Sequence, residues 1–103
     1  MKWQEIYKKY KDSELMDKFN MYVYDNEGES IGDSTSNIKD IWGYLICFAE
    51  TKGISIVKGL IAKKTGINKY GQNEWVELAS YKTKKTAEED MLWCADKFFE
   101  VAK

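Results

Sequence analysis

The chain has 103 residues, enough for one domain with its own core and too few for two. Its balance of 44% hydrophobic and 32% charged residues is that of a globular chain, and a net charge of −1 gives no overall field toward nucleic acid or acidic targets. Pro, His and Arg are absent and all 16 basic residues are Lys, which excludes a His general base, His metal ligands and a bidentate Arg clamp.

Residues 2–12 read as a helix, with Trp3, Ile6, Tyr7 and Tyr10 at helical spacing. Asp12-Ser13 breaks it, and Ser13 is expected to cap a short turn through Leu15, Met16 and Phe19. Residues 19–25 alternate as a strand, with Met21 and Val23 on one face and Tyr22 and Tyr24 on the other. Asp25-Asn26-Glu27-Gly28 is a turn signal, and a short strand through Ser30 and Ile31 completes a hairpin. Ser36 or Thr35 is the expected cap of a helix over 37–52, with Gly53 at its C-terminal end. On that helix Ile38, Ile41, Trp42, Leu45, Phe48 and Ala49 share one face.

Residues 54–63 read as a strand with a bulge at Gly59, and residues 74–82 as its hairpin partner across a loop over 65–73. Thr86 followed by Glu89 is a capping-box pattern. It opens a last helix whose stripe is Met91, Ala95, Phe98 and Ala102, with Leu92 and Phe99 beside it. The sequence therefore predicts a single domain over 1–103 in the order α-β-β-α-β-β-α. That is an α+β fold, with helices packed on a small, mainly antiparallel sheet.

Charge is segregated. Residues 19–53 sum to −4, residues 54–85 to +5 and residues 86–103 to −3. In the basic stretch Lys58, Lys63, Lys64, Lys69, Lys82, Lys84 and Lys85 interleave with Tyr70, Trp75 and Tyr81. Lysines can hold phosphates and aromatics can stack a base. Lys58, Lys82, Lys84, Lys85, Trp75 and Tyr81 are thus the candidates for an anionic ligand, a nucleic acid or a nucleotide. The plainer alternative is a solvated hairpin whose lysines guard its edges. Asp25, Glu27, Glu29 and Asp33 surround Gly28 without the spacing of a calcium loop, and read as a polar hairpin turn.

Trp93 stands out. It lies about 160° from the apolar stripe of the last helix, amid Glu89, Asp96 and Glu100. Trp is enriched in interface hot spots, so these four residues are candidates for a protein contact. The alternative is that the N-terminal helix, with Trp3, Tyr7 and Tyr10, covers Trp93.

No catalytic constellation emerges. Ser36-Asn37-Ile38-Lys39 matches S-x-x-K and Lys64-Thr65-Gly66 matches K-T-G, but the third motif of the penicillin-binding enzymes is missing and Ser36 reads better as a cap. Cys47 has acidic neighbours in Asp40 and Glu50, which oppose thiolate formation. Cys94 reads as a small buried hydrophobe. Glu88, Glu89 and Asp90 read as solvated charge. No catalytic residue, metal site or cofactor is expected. The N-terminus lacks a secretion signal, and no apolar run spans a bilayer, so a cytoplasmic protein with reduced thiols is expected.

Leu78-Ala79-Ser80-Tyr81-Lys82-Thr83 leads into a helix carrying Ala87, Met91 and Phe98. This stretch resembles the C-terminal part of short proteins of low-GC bacteria and their prophages, many of them uncharacterised, in which an L-A-x-Y-x-T strand enters a closing helix. The resemblance covers about a quarter of the chain. It implies a strand-to-helix unit and a phage origin, and transfers no functional residues. The lysine-only composition, rich in Ile, Tyr and Asn, points the same way, to an AT-rich coding genome.

These features together lead to the expectation of a small non-catalytic binding protein, encoded by a phage or mobile element. It would inhibit a host protein such as a bacterial defence system, in the anti-CRISPR manner. The alternatives are a binder of nucleic acid or a small phosphorylated ligand through the 54–85 hairpin, and an immunity protein that neutralises a toxin. A homodimer is a further possibility, since four Trp and seven Tyr are many for so small a core to hide.

Overall fold

The computed structural model describes residues 2–28, 31 and 37–102. Three helices come first: α1 (Trp3–Tyr10), α2 (Glu14–Glu27) and α3 (Ile38–Thr51). Three strands follow, β1 (Ile54–Val57), β2 (Leu60–Ile67) and β3 (Asn73–Ser80), and α4 (Ala87–Val101) comes last. The fold is α+β, but its order is α-α-α-β-β-β-α and not the α-β-β-α-β-β-α that the sequence predicts.

The difference begins at residues 19–25, which are helix and not strand. Leu15, Met16, Phe19 and Val23 are all buried, and their spacing is that of one helix face. The alternation of Met21, Tyr22, Val23 and Tyr24 is a short window inside that longer stripe. Both ends are fixed as well. The Ser13 hydroxyl accepts from the Met16 N–H at 3.1 Å. Gly28, at φ 72°, ends the helix in the left-handed conformation, its N–H donating to the Tyr24 carbonyl at 2.7 Å. Gly28 is therefore a helix cap and not part of a hairpin turn. Ser30, Glu29 and Asp33 lie outside the described residues. Ile31 forms no strand there. It is buried, with its carbonyl accepting from the Trp3 indole N–H at 2.8 Å.

Helix α3 follows the expected stripe, burying Ile38, Ile41, Leu45, Phe48 and Ala49, while Trp42 is half-buried. Its cap is Asn37, whose Oδ1 accepts from the Lys39 N–H at 2.9 Å, and not Ser36 or Thr35, which lie outside the described residues. The strand expected over 54–63 is two strands. Lys58 and Gly59 turn the chain between β1 and β2, Gly59 having φ 73°. The three strands pair antiparallel in sequence order, with β2 central.

Helix α4 keeps the predicted capping box, with the Thr86 hydroxyl and Glu89 carboxylate each accepting from the other's backbone N–H. It packs on β2, β3, α3 and α1, while α2 packs on α3. Phe98 and Phe99 are fully buried and meet Phe48, Phe19, Trp3 and Tyr10 at ring centroid separations of 5.7–6.2 Å. The core is thus an aromatic cluster with contributions from all four helices. Among the described residues no helix is long and apolar enough to cross a membrane.

Substitutions in α2 distinguish helix from strand. A strand places Phe19, Met21 and Val23 on one face, whereas here Val23 is 4% exposed and Met21 is 65% exposed. Phe19→Ala is expected to cost about 3–5 kcal/mol. Val23→Ser is expected to cost more than about 1 kcal/mol, and Met21→Ser less than about 0.5 kcal/mol. Urea unfolding midpoints measure this, and equal losses at positions 21 and 23 would contradict the helix.

Candidate functional site

The sheet has two parts. Its base, with Ile54, Ile56, Ile61 and Ala62, is buried against the helices. Beyond it, residues 63–65 of β2 and residues 73–77 of β3 are exposed throughout, so the β2–β3 hairpin projects as an arm. Its apolar side chains are exposed too: Ile67, Val76, Trp75 at 48% and Tyr70 at 75%. Two bulges shape the arm, since Leu78 is the extra residue on β3 and Thr65 the extra residue on β2. The tip is built rather than loose. Asn68 Oδ1 accepts from the N–H groups of Tyr70 and Gln72 at 2.9 and 3.0 Å, and Gly71 adopts φ 77° to close the turn.

The lysines do not guard the open edge. Among the described residues strand β3 pairs only with β2, which leaves its other edge without a strand partner, and it contains no Lys. Lys63 and Lys64 are instead on the central strand, directly opposite Val76 and Trp75. Lys69 Nζ lies 5.1 Å from the Tyr70 ring centroid at the tip. Lys58 sits in the β1–β2 turn, and Lys82, Lys84 and Lys85 in the β3–α4 connection.

Those two segments meet at Asp90, which is only 6% exposed. Its Oδ1 accepts from the Gly59 N–H at 3.0 Å, from the Tyr81 hydroxyl and from the Cys94 thiol at 3.7 Å. The Tyr81 N–H in turn donates to the Gly59 carbonyl at 3.0 Å. A Cβ on Gly59 would lie 3.3 Å from the Tyr81 carbonyl oxygen and would need a strained positive φ. Burial and the bond to Asp90 push the Tyr81 hydroxyl up to about 12. Burial, chiefly, and the Asp90 charge push the Cys94 thiol up to about 12. Asp90 is therefore a buried anchor and not the solvated charge that its neighbours Glu88 and Glu89 suggest. Its wheel position carried a signal, because it stands one helical turn before the buried Cys94.

The sequence-derived site residues separate into different roles. Tyr81 covers Trp93, the two rings meeting edge-on at 4.6 Å and 72°, and Lys85 Nζ lies 5.1 Å from the Tyr81 ring centroid. The half-buried Trp93 thus has its ring cover from the β3–α4 connection, whereas Trp3 and Tyr10 of α1 pack on Phe99. The acidic residues around it are engaged elsewhere. Asp96 accepts from the Tyr10 hydroxyl at 3.0 Å and from Lys9 at 3.1 Å, which ties α1 to α4. Glu89 completes the capping box, and Glu100 pairs with Lys97 at 3.0 Å. Lys82 and Lys84 are exposed and Trp75 stands out on the arm, away from Trp93 in the fold.

A cavity of about 360 Å³ lies below the β1–β2 turn, lined by Trp42, Ile46, Ile56, Lys58, Asp90 and Met91, among others. No group of three or more His, Cys, Asp or Glu capable of holding a metal ion occurs among the described residues.

Two measurements test the anchor. Cys47 is exposed and Cys94 buried, so a thiol reagent at neutral pH is expected to modify one cysteine in the native protein and both in denaturant. Tyr81 and Cys94 hold their protons to higher pH in the folded protein than at their ordinary values of 10.0 and 9.0. The unfolded chain loses those protons first, so stability is expected to fall as pH rises from about 9 toward 12. Tyr81→Phe is expected to flatten that fall in urea titrations, and an unchanged slope would remove Tyr81 from it.

Compared with known proteins, the chain matches no family model, no curated protein and no solved structure.

Proposed function

We propose that the chain is a small non-catalytic binding protein whose β2–β3 arm is its contact surface for another protein. One observation carries this reading: among the described residues the outer edge of the eight-residue strand β3 has no strand partner, on an arm that also exposes Ile67, Tyr70, Trp75 and Val76. An open edge offers a row of free N–H and C=O groups, and partners commonly add a strand to it. Exposed Trp and Tyr supply the large, stiff contacts that dominate interface energetics. With Lys63, Lys64 and Lys69 around them, the partner that fits has an apolar strip with an acidic rim. Within this reading the chain acts in the cytoplasm, is encoded by a phage or mobile element, and inhibits a host protein. An immunity protein that blocks a toxin would use the same surface.

A second reading has its own support. Lys64 stands directly across from Trp75, and residues 54–85 carry a charge of +5. That pairing suits a single strand of nucleic acid, with phosphate near the lysine and a base on the indole.

Trp75→Ala is expected to cost about 2 kcal/mol of partner binding, roughly a thirtyfold rise in Kd. Trp93→Ala is expected to act mainly through stability. Photocrosslinking from position 75 or 70 should capture the partner, and crosslinking from Lys8 on α1 should not. A partner whose affinity is unchanged by Trp75→Ala with Val76→Lys would overturn the arm as the contact surface. Nucleic-acid binding would instead show an affinity falling steeply with salt.

A further inference from the structure

The cavity below the β1–β2 turn has the build of a ligand site. Its volume of about 360 Å³ falls in the small-molecule range of about 300–1,000 Å³. Its wall combines the half-buried Trp42 and Ile46 of α3, Ile56 and Val57 of β1, and Met91 of α4. The one acidic group on that wall is Asp90.

Asp90 is the unusual part. Its three hydrogen-bond donors, the Gly59 N–H, the Tyr81 hydroxyl and the Cys94 thiol, are all neutral and all reach Oδ1. Among the described residues none pairs with Oδ2, and no lysine lies within ion-pair distance of Asp90. Yet no buried side-chain oxygen or nitrogen is left without a partner there. Oδ2 therefore keeps some solvent access, and Asp90 is among the residues that line the cavity. A largely buried carboxylate without a counter-charge is costly, so a cation is the ligand charge that suits it. The indole of Trp42 on the same wall favours a cation too, through its electron-rich face.

We propose that this cavity binds a small molecule carrying a primary ammonium group on an apolar body, the ammonium at Asp90 Oδ2 and the body against Trp42, Ile46 and Met91. Lys58 lines the same cavity and is the rival occupant within the chain. The site is separate from the projecting arm, so it stands or falls independently of the protein-binding surface.

Phenethylamine is a suitable probe, and 2-phenylethanol is its neutral counterpart. Titrations followed by amide and indole chemical shifts are expected to move Trp42, Ile46 and Met91, with phenethylamine binding at least about tenfold more tightly than the alcohol. Asp90→Asn is expected to abolish that preference. Because Asp90 also anchors the turn, Met91→Trp serves as a second variant: it fills the cavity, leaves the Asp90 bonds in place, and should abolish binding in a folded protein. Equal binding of the two probes would overturn the proposal. So would binding that occurs only after Lys58→Ala, which would make Lys58 the cavity's own cation.

Discussion

The carboxylate of Asp90 holds the sheet to the helices. It is the first buried side chain of α4, and it reaches the β1–β2 turn through Gly59 and the β3–α4 connection through Tyr81. Two neighbouring segments at one end of the sheet, the β1–β2 turn and the exit of β3, are thereby fastened to one helix. Neutral donors take up Oδ1, which limits the cost of burying the charge. Gly59 lets the turn approach that closely, since a side chain there would press on the Tyr81 carbonyl. Tyr81, once held, lays its ring on Trp93 and closes the outer face of α4. One buried acid thus sets the turn, the strand exit and the cover of the most conspicuous tryptophan in the sequence.

A fixed base makes the arm possible. Strands β2 and β3 run past the last helix contact, and nothing among the described residues covers residues 73–77. A two-stranded ribbon is marginally stable by itself, so the arm depends on β1 pairing below it and on the Asn68 bonds at its tip. The bulges at Leu78 and Thr65 add local twist, which aims the outer half of the ribbon separately from the base. A rigid platform with a projecting, partly apolar ribbon suits recognition, whichever macromolecule it meets.

Much of the fold was legible in the residues. The Thr86–Glu89 capping box, the α3 stripe and the pairing of β3 all follow from local spacing. Helix α2 did not, because the alternation over 19–25 mimics a strand and only the longer Leu15–Met16–Phe19–Val23 stripe reveals the helix. The site was less legible. Asp90 follows two glutamates in a first turn, where acids usually face water and favour the helix dipole. Its role depends on Gly59 and Tyr81, which only the tertiary fold brings to it. The acidic residues near Trp93 were misleading for the same reason: Asp96 finds Tyr10 and Lys9 from the far end of the chain.

The aromatic cluster ties the two ends of the chain together. Phe99 of α4 packs on Trp3 and Tyr10 of α1, and Phe98 packs on Phe48 of α3. During synthesis the first three helices leave the ribosome before the phenylalanines that fill the space between them. Trp3, Phe19 and Phe48 can meet one another but lack their contacts with Phe98 and Phe99 until α4 emerges, a stretch of time in which apolar surface is open to chaperones or to misassembly. Folding has to close contacts across nearly the whole sequence at once, so it is late and cooperative rather than progressive from the N-terminus.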